Sequence, residues 1–503
     1  MNAELRTSYD EFPYQSQPLR QTHPDHLATV ASLFGFDAAA VERCRVFEIG
    51  CASGGNLIPL AASYPDSTFL GIDLSPVQIG QGAAEIDALG LCNIRLLPID
   101  VMAFDAELQS FDYIIAHGIY SWVPAPVQEK ILALCARLLA TNGIALVSYN
   151  TLPGWRMLAI VREAMLYQTR DIADPRAKVA QARATLDFLS EAVPDRDSAY
   201  GRLMRVAAEH IRQKPDYYVL HEYLEDANEA LYFQQFVDRA VGHGLRYLGD
   251  SDLTTMLAVG LPPKVVATLD RIAPGLIRRE QFLDFLKSRS FRHSLLIREG
   301  AALDRKLSPA RLMALRVAAP VQVGAEAVDL ASDRRETFRL IDGRAVEASH
   351  RIVKAGLAIL AEQWPLALTF DELHERAAGR LGAAGCPGPG ERDLLASDIM
   401  RLHLAGVAEL HRAPPPFVLV GGARPEAGAI ARRDAARGAA SANLRHEPVV
   451  LQEDERALLP LLDGTRTREE VAALRWPSLP DADRLARLES ALASLGRRAL
   501  LMG

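Results

Sequence analysis

Residues Val46–Asn56 read VFEIGCASGGN, and the fold follows from how this stretch is read. It opens as a short buried strand, breaks at Gly50, and passes through four small residues, Cys51, Ala52, Ser53 and Gly54, before a helix. Such a strand–glycine–helix joint lets a ligand approach bare backbone, with the helix N-terminus supplying unpaired N–H donors. It also carries a carboxylate, Glu48, just before the first glycine. A charge at the end of a buried strand must have a partner.

Outward from this joint, apolar runs alternate with helical periods. Strands are expected at Arg45–Ile49, Thr68–Ile72, Ile94–Pro98, Tyr113–Ala116 and Ile144–Ser148, and helices near 54–63, 76–89 and 125–140. Strand–helix alternation of this kind predicts an α/β, doubly wound, mostly parallel sheet. Its ligands bind at the carboxyl ends of the strands. Strand one ends at Gly50. Strand two ends at Asp73, followed by Leu74, where an acid accepts from ribose hydroxyls. Strand three ends at Asp100, placed to accept from an adenine amino group, with Val101 and Met102 beside the ring.

A relaxed GxGxxG/A pattern, Gly50-x-Ala52-x-x-Gly55, also admits a nicotinamide dinucleotide. Three features oppose it. Glu48 replaces the usual apolar residue, Asp100 adds an adenine-side acid, and no tyrosine–lysine or histidine–aspartate arrangement for hydride chemistry is apparent. Glu48, the loop, Asp73 and Asp100 in register point instead to S-adenosylmethionine (SAM). The expected fold is therefore a class I, Rossmann-like methyltransferase sheet, with Glu48, Gly50, Cys51, Ala52, Gly54, Asn56, Asp73, Leu74, Asp100, Val101 and His117 at the cofactor.

The chain has 503 residues, 49% hydrophobic and 24% charged, with a net charge of −7. Its length predicts about two to four domains. The negative balance argues against a dedicated nucleic-acid binder. No signal-peptide core and no run of roughly 20 apolar residues is present, so a cytoplasmic protein with no membrane insertion is expected. The cysteines at 44, 51, 92, 135 and 386 are scattered, without metal-ligand spacing, and no metal is expected.

The arm 1–22 completes a methyltransferase domain 1–155, whose amphipathic helix opens near Pro24. Tyr9, Phe12 and Tyr14 fit either packing of a terminal arm or a lid over the cofactor. Residues 156–300 read as a helical middle region. Its helices, Arg156–Gln168, Asp174–Ala192 and Tyr200–Arg212, form an insertion above the site, and Leu245–Leu248 and Phe291–Arg298 return as the antiparallel edge of the sheet. Residues 301–420 are expected to be winged-helix-like, with a strand at Pro415–Gly421. Residues 421–446, rich in Gly, Ala and Arg, read as an exposed connector. The final subdomain, 447–503, has helices split at Asp463-Gly464, with Thr465 and Thr467 as caps.

The motifs SYDEFPY…THP, EIGCASGGN, GIDLS, FDYIIAHGIYSWVP, NTLPGW, HEYLE and EQFLDFLKSRSFRHSLL span about the first 300 residues. In them the chain resembles bacterial lysine methyltransferases of outer-membrane proteins, within the class I group carrying a methyltransferase regulatory domain. LLDGTRTREE resembles the domain appended there. Ala52 departs from the usual Gly and should be tolerated if φ stays negative. The resemblance implies that Glu48, Gly50, Asp73 and Asp100 contact the cofactor and that Tyr9 and Tyr14 cover it. It also implies that the middle and C-terminal regions hold a protein substrate, such as an unfolded outer-membrane protein.

The acceptor side is expected from residues just past strand ends: His117, Tyr120, Trp122, Asn150 and Trp155, with Tyr223 and Glu222 from the middle region. Loop packing, sealing of the sheet and helix capping are the structural alternatives for them. The expected activity is methyl transfer to lysine ε-amines of a protein. Methylation of a small molecule and a non-catalytic SAM-binding regulator are the alternatives. A homodimer is compatible with the sequence.

Overall fold

Seven strands form the central sheet: β1 Arg45–Ile49, β2 Thr68–Asp73, β3 Ile94–Pro98, β4 Phe111–Ala116, β5 Leu139–Asn150, β6 Leu245–Asp250 and β7 Phe291–Arg298. Their spatial order is β3-β2-β1-β4-β5-β7-β6. The first five run parallel, and β7 lies antiparallel between β5 and β6. The two strands from the middle region therefore close the sheet edge, as the sequence predicts. The computed structural model describes residues 10, 12–13, 16–105, 110–258, 260–324, 328–382, 390–438 and 440–503. No helix among them is long and apolar enough to cross a membrane.

Successive strand residues point to opposite faces. Val46, Ile115, Ile144 and Leu146 pack into a core with the helices Pro24–Leu33 and Leu57–Ser63. Phe47, Ile49, Ile114, Ala116, Val147 and Tyr149 pack into another with the helices Ala125–Leu138 and Phe233–Gly242. Glu48, Ser148 and Asn150 share the parity of Val46 and Ile144, and so lie on the first face. Helix Pro76–Leu89 is defined by local chemistry: Ser75 accepts from the Gln78 N–H at 3.2 Å, Pro76 starts the helix, and Gly90 ends it with φ 66°.

The inserted helices Trp155–Thr169, Pro175–Ala192 and Ala199–Arg212 build a core of their own around Val161, Met165, Val179, Leu186 and Met204. Beyond residue 300, the helices Arg351–Gln363, Phe370–Leu381 and Glu391–Leu404 accompany a three-stranded sheet of Arg316–Ala318, Leu368–Thr369 and Glu409–His411. Their apolar side chains are continuous with the first core of the central sheet.

The structure corrects the C-terminal reading at three points. Pro415–Gly421 is not a strand; Phe417 makes one isolated bridge, to Met502. Prolines at 414–416 have no N–H to give a ladder. Residues 421–446 are not an exposed connector, because Ala429–Arg437 is a helix burying Ala431 and Ala435, and Ala440–Ala442 is a strand. Alanines four apart share a helix face, so a composition that reads as linker builds a packed surface. Thr467 does cap Arg468–Arg475, whereas Thr465 bonds back to Asp463.

Candidate functional site

Gly54 sits at φ 77°, and a Cβ there would lie 2.7 Å from Leu96 Cδ1. Glycine is required on both counts. Ala52, whose methyl was expected to be tolerated on condition that φ stay negative, stands at φ 50°. Its N–H donates to Asp73 Oδ2 at 2.8 Å, and that bond holds the residue left-handed. The left-handed region costs a non-glycine residue roughly 1–2 kcal/mol, and glycine loses roughly 0.5–1 kcal/mol in chain entropy. Ala52→Gly should thus raise stability by about 0.5–1 kcal/mol, read as an upward shift in thermal unfolding.

Asp73 closes β2 with both carboxylate oxygens engaged, since Oδ1 also accepts from the Ser75 N–H at 2.9 Å. Each oxygen keeps a further lone pair for a diol. Asp100, past the end of β3, accepts from the Met102 N–H at 2.9 Å beside buried Val101. Cys51 is buried, and its N–H is spent on the Ile72 carbonyl at 3.1 Å.

Glu48 is the chemically unusual member. It is 4% exposed, and its Oε1 accepts from Asn56 Nδ2 at 2.8 Å. Its Oε2 is buried with no hydrogen-bond partner among the described residues. Burial pushes the carboxyl up to about 8, against the Asn56 bond, which lowers it. An orphaned buried carboxylate oxygen beside a glycine loop fits a positively charged cofactor such as SAM. Asn56, expected at the cofactor itself, is instead occupied by Glu48, Thr22, Leu19 and His446.

The N-terminal arm straps this site to the middle region. Asp10 accepts from Ser75 Oγ, Ser16 Oγ accepts from the Gly55 N–H at 2.8 Å, and the Leu19 N–H donates to Asn56 Oδ1 at 3.1 Å. A Cβ on Gly55 would collide with the Ser16 carbonyl, so the close approach of the arm needs glycine. The Phe12 carbonyl meets His221 Nε2 at 2.7 Å, which brings HEYLE against the arm. Tyr9 and Tyr14 lie outside the described residues.

On the acceptor side, the structure separates the expected residues. Tyr120 is fully buried, edge-on to Tyr149 and Phe236, and belongs to the core on the face opposite Glu48. Its ring thus packs in that core rather than on the face that carries Glu48. Trp122 and Trp155 meet edge-to-face at 6.1 Å, and Trp155 Nε1 donates to Asn228 Oδ1 at 2.8 Å. Tyr223 packs in the inserted helical core, tilted against Tyr218. Burial pushes neighbouring Glu222 up to about 7.

His117 stacks on His293 with centroids 5.1 Å apart and an interplanar angle of 2°, and both meet the edge of Phe291. Burial lowers both imidazoles, His117 to about 3, so the pair is neutral. His117 Nδ1 and Asn150 Nδ2 are buried without partners among the described residues. In the β5–β7 ladder Asn150 faces Phe291 and Ser148 faces His293, which places all four on the face that carries Glu48. Phe291 and His293 were missed by sequence reasoning. Their two-residue spacing in a strand was the available signal; the register against Asn150 was not.

Three protein families match parts of the chain. They are "Methyltransferase domain" over residues 46–143, "Predicted methyltransferase regulatory domain" over 215–298, and "PKMT, C-terminal winged helix domain" over 423–474. The last falls across the 421–446 segment and beyond it, not on 301–420 where a winged helix was expected. RP028, an uncharacterized protein of Rickettsia prowazekii, is 39% identical over 235 residues, covering 47% of this chain and 94% of that protein. RP789 of the same organism is 41% identical over 300 residues, and the match spans only about half (54%) of its length. PKMT2 from Rickettsia typhi, also solved in complex with AdoHcy, matches with a TM-score of 0.86 and 28% identity, over 98% of this chain and 100% of that one. The chain thus belongs to the class I methyltransferases that carry a methyltransferase regulatory domain and a C-terminal winged helix domain, and SAM is its cofactor.

Proposed function

We propose that this chain transfers methyl groups from SAM to lysine ε-amines of a protein substrate. The observation that carries the reading is the near full-length likeness to PKMT2, taken with the motif resemblance to bacterial protein lysine methyltransferases. Unfolded outer-membrane proteins are the substrates that this resemblance favours.

When bound, SAM supplies an electrophilic methyl group on a sulfonium. Glu48 would hold positive charge on the cofactor, Asp73 the ribose hydroxyls and Asp100 the adenine amino group. Such displacement chemistry needs little covalent help; holding the two reactants in line supplies much of the rate. A lysine must arrive as the free amine. The neutral surface of His117, His293, Phe291, Trp122 and Trp155 desolvates an incoming ammonium and lowers its pKa, so its proton leaves to water. Asn150 Nδ2 and His117 Nδ1 retain hydrogen-bonding capacity to orient the acceptor.

Because Glu48 titrates at about 8, pH should act on cofactor affinity. Below that value the free site holds a neutral acid, and binding a cationic group must expel a proton. Affinity for SAM should therefore rise as pH increases from 6 to 8 and level off above, while Glu48→Gln should bind weakly without that dependence. Titration calorimetry across this range checks it, and a flat profile for the unsubstituted chain removes Glu48 from the cofactor site.

The acceptor is tested by incubating the chain with labelled SAM, an unfolded outer-membrane protein and candidate small amines, followed by mass spectrometry. Methyl groups on lysines are expected. Label in small molecules alone would overturn the protein acceptor, and tight SAM binding with no transfer would leave a regulator.

A further inference from the structure

We infer that His446, in the C-terminal winged helix segment, is a positioning residue of the SAM site, acting through Asn56 to hold the Glu48 carboxylate in place. The inference rests on the cofactor reading in one respect, that Glu48 meets SAM.

Asn56 opens the helix that follows the glycine loop and is buried. Its Nδ2 donates to Glu48 Oε1 at 2.8 Å and to Thr22 Oγ1 at 3.0 Å. With Glu48 ionised, as it is when it meets a cationic group, an amide turned by 180° would present its oxygen to the carboxylate, and the two would repel. What prevents the turn is the set of donors on the other side. Asn56 Oδ1 meets His446 Nε2 at 2.8 Å and accepts from the Leu19 N–H at 3.1 Å. An amide oxygen only accepts, so His446 must carry its proton on Nε2. One of the two orienting groups thus comes from the arm, and the other from a residue 390 positions further along the chain.

The turn that presents His446 is built for the purpose. His446 is buried at φ 61°, a left-handed conformation uncommon outside glycine, though histidine adopts it more readily than most side chains. Strained backbone that its surroundings maintain is a pointer to function. Here Asn443 Oδ1 accepts from the N–H groups of both Arg445 and Glu447, and the His446 N–H donates to the Asn443 carbonyl at 3.0 Å. Arg445 then ties the turn to Glu409 at 2.9 Å and to Glu447 at 3.1 Å, while Arg20 of the arm reaches the same Glu409 at 2.6 Å. His23 packs edge-on against the His446 ring, with centroids 5.4 Å apart. The C-terminal segment is therefore seated on the loop-bearing face by charge and packing, with one directed hydrogen bond at the centre.

Two sites joined by such a bond are coupled in both directions. Docking of the C-terminal segment favours cofactor binding, and cofactor binding favours docking.

The test compares His446→Gln with His446→Met in the full chain. The two substituted side chains have similar length and the same backbone demand, but only glutamine can donate to Asn56. Calorimetric titration with SAM should give His446→Gln an affinity within about threefold of the unsubstituted chain and His446→Met a loss of about tenfold, the value of one buried hydrogen bond. Equal affinities for all three proteins would overturn the inference, as would equal losses in the two variants, which mark a merely structural role. Should His446→Met fail to fold, His446→Asn replaces it: asparagine tolerates the left-handed backbone but is too short to reach Asn56, and affinity equal to that of His446→Gln would overturn the inference. No binding by the unsubstituted chain would instead reject the cofactor reading itself.

Discussion

Arg292→Met is expected to destabilise the protein by about 3–5 kcal/mol, the range for removing one partner from a buried ionic network. Arg292 is 1% exposed on β7, where it bonds Asp250 at 2.7 Å, Glu280 at 3.1 Å and Asp284 at 2.8 Å. Its guanidinium also lies 3.9 Å from the centroid of the Phe233 ring. Arg289 is the second cation, so three acids share two bases. Removing Arg292 leaves one base for three buried carboxyls. Burial already lifts Glu280 to about 7 despite both arginines. A carboxyl held above its unfolded value contributes stability below about 4.5 and loses it as pH rises through the folded value. The defect in Arg292→Met should therefore grow between pH 5 and pH 8. Denaturant titrations at these two pH values read the effect; equal midpoints for variant and parent would show that the network contributes no net stability.

Asp73→Ala should weaken SAM binding by about a hundredfold or more, because hydrogen bonds to a charged group are worth roughly 1.5–3 kcal/mol each and a ribose diol takes two. Asp73 also anchors the loop through the Ala52 N–H and the start of the next helix through Ser75. Alanine thus removes both the ligand contact and the brace. Asp73→Asn separates them, since its amide keeps one oxygen for the loop while losing the charge and one acceptor. An intermediate loss is expected by calorimetry, and an unchanged Kd for the alanine variant would place the cofactor elsewhere.

What was legible in the chain was what is chemically local. Helix 76–89 has its expected limits because Ser75, Pro76 and Gly90 are all start or stop signals within the segment. β1, β3 and β7 likewise match residue for residue. β5 runs from Leu139 to Asn150, longer than Ile144–Ser148, because exposed Thr141 and Asn142 interrupt the apolar pattern while buried Leu139 takes strand form by pairing with Phe111. Glu48, Asp73 and Asp100 could be singled out as candidates because each ends or nears the end of a strand, a position fixed by short-range pattern. The partners of Asn56, which in turn holds Glu48, were not, because Thr22 and His446 arrive from opposite ends of the chain. Tyr120 shows the converse: proximity to a strand end identified it, but the short turn Tyr120–Trp122 after β4 directs its ring against Tyr149 and Phe236, into the core.

The position of β7 has a consequence during synthesis. β5 is the longest strand of the sheet, and its free side pairs only with β7, residues 291–298. A ribosome that has released residues 1–155 has therefore exposed a long apolar strand with one unsatisfied flank, a ready template for aggregation. The inserted helices can gather their own core while that flank waits. Completion of the sheet must follow emergence of residue 298, so a fragment cut at the nominal end of the methyltransferase domain is a folding intermediate rather than a domain, and its recovery should depend on supplying the missing strands.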